Sequence, residues 1–95
     1  DVLAEGRLGD QLIAEIDVTA KSPYRGQALS EVFKNTTNTT VLAIKRGDES
    51  LVVGPRGNAI LDSGDIVIVL ADEADLSRLM RRDTVVQALP ERDSA

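Results

Sequence analysis

Apolar and polar positions in this chain fall into short runs of strand period, broken twice by helix period. From Gln11 to Ala20, Leu12, Ala14, Ile16 and Val18 share one parity, while Gln11, Glu15, Asp17 and Thr19 share the other; Ile13 is the exception. That alternation predicts a half-buried strand with one polar face. Ser22 to Gln27 reads as a loop. Leu29, Val32 and Phe33 then fall at i, i+3 and i+4, which predicts a short amphipathic helix over Ala28 to Lys34. Asn35 to Thr40 is a polar bridge of Asn and Thr with poor helix propensity, able to begin a strand. Val41 to Arg46 is the second strong strand. Gly47-Asp48-Glu49 turns the chain and Ser50 to Val53 returns, the pattern of a hairpin. Gly54-Pro55-Arg56-Gly57-Asn58 is a further turn, and Ala59 to Leu61 a short strand.

The chain is organised around Ile60 to Ala71. Ser63-Gly64-Asp65 supplies turn chemistry, with Gly64 suited to φ > 0 and Asp65 to bonding nearby backbone. Ile66 to Ala71 is apolar at every position, so coverage of both faces is expected. Asp72, Glu73 and Asp75 give an acidic start to a helix over Ala74 to Arg82, whose apolar face carries Leu76, Leu79 and Met80. Asp1 to Glu5 reads as the end of a helix broken at Gly6 and Gly9, and Pro90 to Ala95 as loose polar chain. This order predicts an α+β fold: a small, mostly antiparallel sheet with a short helix after the first strand and a C-terminal helix.

A length of 95 residues fits one domain, and with Tyr24 and Phe33 as its only Tyr and Phe and no Trp the core must be aliphatic. The absence of Cys and His excludes disulfides, thiolate metal sites and the commonest general base. Ser22, Ser30, Ser50 and Ser63 have no activating His, and no spacing recommends Lys21, Lys34 or Lys45 in its place, so enzymatic activity is not expected. Gly54 to Asn58 lacks the Gly-Lys-Ser/Thr of a phosphate loop and joins strands rather than opening a helix. A net charge of −5 argues against a nucleic-acid binder. No apolar run approaches the ~20 residues of a membrane-spanning helix. The chain starts without Met and in mid-pattern, which leads us to expect a piece of a longer protein.

Two groups of residues carry candidate chemistry. Glu15 and Asp17 share one strand face and are hard oxygen donors of the kind Ca²⁺ takes; solvation is the plainer role for such carboxylates. Lys45, Arg46 and Arg56 form the basic group near the ends of the hairpin strands and could grip an anion, though strand ends carry such charges routinely.

Three stretches, in order, resemble one family. Ser22-Pro23-Tyr24-Arg25-Gly26-Gln27-Ala28-Leu29-Ser30-Glu31-Val32 is similar to its opening S-x-x-x-G-x-x-L-x-E-L segment. Val41 to Glu49 resembles its V-x-A-I-x-R-G-x-E hairpin, and Leu61 to Leu70 its L-x-x-G-D-x-L-x-V-x-G strand. The family is the TrkA-C domain, or RCK-C, the C-terminal lobe of regulators of K⁺ conductance. Asp1 to Glu5 also resembles the entry to this lobe in prokaryotic calcium-gated K⁺ channels of the MthK type. The resemblance implies residues 1–11 as the end of a connection from an N-terminal lobe, 12–82 as the domain and 83–95 as a polar tail.

It further implies a cytosolic, ligand-sensing and dimerising lobe of a K⁺ channel or K⁺ uptake system at the prokaryotic cell membrane. Its partners would be a second copy, an N-terminal RCK lobe and a membrane pore or transporter subunit. The alternative is a structural dimerisation module of a cation/proton antiporter or other secondary transporter, without a ligand. Relatives bind Ca²⁺ or cyclic di-AMP. Glu15 matches a calcium-ligating position of the channel relatives, with Asp17 beside it; a dinucleotide would use Ile44, Lys45, Arg46 and Asn58. The resemblance at Asp1 to Glu5 and the acidic charge favour Ca²⁺.

Overall fold

The computed structural model describes residues 7–80 and 85–88. The helix end expected at Asp1 to Glu5 and the loose chain from Pro90 to Ala95 lie outside the described residues. The elements are β1 (Arg7–Leu8), β2 (Gln11–Asp17), α1 (Leu29–Val32), β3 (Thr39–Lys45), β4 (Leu51–Val53), β5 (Ile66–Ala71), α2 (Glu73–Met80) and β6 (Val85–Ala88). The sheet runs β1-β2-β5-β3-β4, with β6 also paired to β2. Each of these pairings is antiparallel, so the architecture is the expected α+β one.

β5 holds the centre because its first four residues are β-branched and both of its edges are bonded, to β2 and β3. Its burial corrects the expectation of two covered faces: Val67, Val69 and Ala71 are fully buried, while Ile66, Ile68 and Leu70 are only half-buried. Apolar identity on both faces hid an alternation in exposure. The buried face joins Ala14, Ile16 and Ile44 to Tyr24, Leu61 and the helix residues Leu29, Val32, Leu76 and Leu79 in one core.

Two segments differ from the sequence pattern. Ala59 to Leu61 is extended but joins no sheet. It runs beside Gly26 to Leu29, through Gly26 N–H to the Leu61 carbonyl (2.8 Å), Leu61 N–H to Gln27 (2.9 Å) and Leu29 N–H to Ala59 (2.9 Å). Val85–Ala88, which the sequence assigns to a polar tail, pairs with Ala14 to Asp17 of β2. β2 itself stops at Asp17 rather than Ala20, because Val18 bonds the turn before β5: its N–H donates to Asp65 O and its carbonyl accepts from Gly64 N–H. α1 spans only four residues, and the Thr36 hydroxyl closes its exit by donating to the Phe33 carbonyl (2.7 Å).

α2 is fastened to the start of β3 by two carboxylates. Asp72 precedes the helix; its Oδ1 accepts from Asp75 N–H (2.8 Å) and its Oδ2 from the Asn38 amide (3.0 Å). Asp75 is fully buried and accepts from Thr37 N–H, Asn38 N–H, Thr39 Oγ1 and Arg78 Nη1. Burial alone pushes its carboxyl up; the Thr39 hydroxyl, the Asn38 and Thr37 N–H groups and the Arg78 charge outweigh that and hold it below its ordinary value of 3.8.

Candidate functional site

Asp62 to Asp65 forms a four-residue turn closed by Asp65 N–H to the Asp62 carbonyl (3.1 Å), with Gly64 in its third position at φ +93. That position demands glycine through backbone sterics. The turn delivers Asp65 inward at 2% exposure, where one oxygen, Oδ2, accepts from Asp62 N–H (2.8 Å) and from Arg46 Nη1 (2.6 Å). The same Arg46 nitrogen donates to the Ile60 carbonyl (2.9 Å). Arg46, just past β3, thus joins the hairpin to the entry of β5 and to the segment before it. Its guanidinium neutralises a carboxylate that would otherwise be stranded in the interior.

Around this pair lies an open cleft of about 830 Å³, lined chiefly by Arg25, Arg46, Asp48, Ile60, Asp62 and Asp65. Arg25 reaches its wall because Gly26 bonds Leu61, which sets the loop before α1 beside the turn before β5. Asp48 sits on the hairpin turn, where the Ser50 hydroxyl (2.6 Å) and the Ser50 N–H (2.9 Å) hold its carboxyl below the usual range. The cleft therefore combines guanidinium donors for an anion with carboxylate acceptors for N–H groups. A smaller groove of about 350 Å³ lies between α1 and β3, walled by Leu29, Phe33, Val41 and Pro55.

The four candidate dinucleotide residues do not converge. Arg46 lines the cleft. Ile44 is fully buried in the core. Lys45 faces the opposite side of the sheet, paired with Glu49 (3.2 Å), and Asn58 is exposed in the turn after β4. Glu15 and Asp17 do share one face of β2, half-buried beside Ile68 and Ile66. Among the described residues no group of three or more Asp or Glu could hold a metal ion, so the Ca²⁺ expectation gains no site among them. Arg25, Asp48 and Asp62 were missed as lining residues. Nothing in their spacing reports that the loop at 25–26 lies against the turn at 61–65.

The family model of the TrkA-C domain matches residues 13–83. Among solved structures, the chain is similar to the regulator of conductance of K⁺ (RCK) C domain of the potassium transport protein KtrA in complex with cyclic diadenosine monophosphate. Identity is 28%, the TM-score is 0.63, and the match covers 77% of this chain and 84% of that one. No curated protein matches the chain.

Proposed function

Since the chain belongs to the TrkA-C domain family, we propose that it is the regulatory, ligand-sensing lobe of a K⁺ uptake system or K⁺ channel. The observation that carries this reading is its likeness, along most of both chains, to a potassium-transport C domain holding a cyclic dinucleotide. The proposed ligand is accordingly cyclic di-AMP rather than Ca²⁺. The Arg25–Arg46 cleft suits its chemistry: the guanidiniums oppose the phosphates, while Asp48 and Asp62 accept from adenine amino groups. Lys45, Ile44 and Asn58 stand outside that cleft. Ligand held between the hairpin turn and the β5 entry turn favours one arrangement of lobes, which shifts a gate by its differential affinity.

The proposal extends to partners and place. A second copy of this chain, an N-terminal RCK lobe and a membrane pore or transporter subunit complete the assembly, with this lobe on the cytosolic side of the prokaryotic cell membrane. No helix of the described residues is long and apolar enough to cross a membrane. Calorimetric titration with cyclic di-AMP and, separately, with CaCl₂ tests the ligand. We expect heat with the dinucleotide only, and about tenfold weaker binding in Arg25→Ala, whose exposed side chain takes no part in the Arg46–Asp65 pair. Heat with Ca²⁺ alone, or with neither, overturns the ligand assignment.

A further inference from the structure

Arg46 lines the cleft with one of its nitrogens already committed to the protein. Nη1 carries two hydrogens, and it has two acceptors: Asp65 Oδ2 at 2.6 Å and the Ile60 carbonyl at 2.9 Å. Asp65 therefore holds the guanidinium by a single nitrogen, not as a two-pronged fork. Among the described residues, Nη2 and the Nε–H of Arg46 have no partner. These are the remaining donors of the planar group. Nε and Nη2 each send a hydrogen in the same direction along one edge, so that edge keeps a complete parallel pair. The edge shared by Nη1 and Nη2 has lost one member to the protein. Two oxygens of a phosphate match an intact edge of this kind bond for bond.

Two anchors on one nitrogen also fix the plane of the group. Neither can follow Arg46 outward: Asp65 is buried in a turn closed by its own N–H, and the Ile60 acceptor is backbone. Arg25, across the cleft, is placed differently. It is exposed, and its Nη1 reaches the Ala20 carbonyl only at 3.4 Å, beyond the usual range of such bonds. Arg25 brings positive charge in a loosely set orientation, whereas Arg46 brings a directed pair of donors.

We propose that the Nε–Nη2 edge of Arg46 is the phosphate subsite of the cleft, and that Asp65 is its positioning residue, acting through Nη1 without touching the ligand. The proposal rests on the cyclic-dinucleotide reading above and names the atoms that hold one phosphate.

Nitrogen NMR of the arginine side chains reads both halves of this proposal, with Arg46→Lys assigning the Arg46 signals by their loss. In the free chain we expect separate Nη1 and Nη2 signals for Arg46, because its two anchors hinder rotation, and one averaged signal for Arg25. Adding cyclic di-AMP should shift the Arg46 Nε–H. In calorimetric titrations, Arg46→Lys keeps the charge but has no planar edge, and should bind the dinucleotide about tenfold more weakly. Lys45→Ala, on the far face of the sheet, should bind as the unmodified chain does. Asp65→Asn should weaken binding about fivefold, and should cost nothing further when added to Arg46→Lys.

No heat with the dinucleotide overturns the ligand reading and the subsite together. Heat with an unmoved Arg46 Nε–H overturns the subsite alone and leaves the ligand reading standing; so does binding lost equally in Lys45→Ala. An averaged Arg46 Nη signal in the free chain overturns the positioning role, whether or not Asp65→Asn folds. An Asp65→Asn loss that persists undiminished beside Arg46→Lys overturns it too.

Discussion

Gly64 and Arg46 show how much one residue decides near the entry to β5. At φ +93, Gly64 occupies backbone that a β-branched side chain enters only under strain, although a Cβ there would make no closer contact than 3.6 Å, to Gly47. Gly64→Val should therefore lower stability by about 2 kcal/mol, through conformation rather than crowding. Thermal melts check it, at roughly 4–8 °C per kcal/mol for a domain of this size. Arg46→Ala acts differently, leaving the Asp65 carboxylate buried without its countercharge. Because the Arg46 side chain is 28% exposed, the loss should be near the lower end for a broken buried pair, about 2–3 kcal/mol. Lys34→Ala is the contrast, since Lys34 and Glu31 are both more than half exposed; it should change stability by less than about 0.5 kcal/mol in the same thermal melts.

At the scale of elements, the joint between α2 and β3 depends on Asp75. Its hydrogen bonds keep the folded-state carboxyl below its ordinary value, so its stabilisation is complete above that value. It is lost as pH falls through the folded value, where the native state must take up the proton. Asp75→Asn should lower stability at neutral pH by about 2 kcal/mol and flatten the acid limb of a stability–pH curve measured from pH 6 downward. An acid limb as steep as in the unmodified chain would place the titrating group elsewhere.

At the scale of the whole molecule, Tyr24 joins segments 55 residues apart in sequence. It is fully buried, and its hydroxyl donates to the Leu79 carbonyl at 3.1 Å, tying the loop before α1 to the last turn of α2. Tyr24→Phe keeps the ring and removes that donor, and should cost about 1 kcal/mol in the unfolding midpoint. The same loop brings Arg25 to the cleft, so the substitution should also loosen dinucleotide binding without touching a lining residue.

The features legible in the amino-acid order are local ones. Alternation along Gln11 to Asp17, the helical spacing of Leu76 and Leu79, the glycine turns at 47–49 and 62–65 and the hairpin of β3 and β4 follow from side-chain period and turn chemistry, which act over a few residues. The motifs around Ser22 to Val32, Val41 to Glu49 and Leu61 to Leu70 were equally legible, and carried the family. Which strands become neighbours is settled by long-range packing. Any apolar strand gains from burial against any other, so nothing local places β5 between β2 and β3, or sets Ala59 to Leu61 against Gly26 to Leu29 rather than in the sheet. The candidate site depends on that long-range choice. Arg46 was readable as a cation at a strand end. Its tie to Asp65, the approach of Arg25, the removal of Ile44 into the core and the turning of Lys45 to the far face all required the fold, because each is set by pairings between residues distant in sequence.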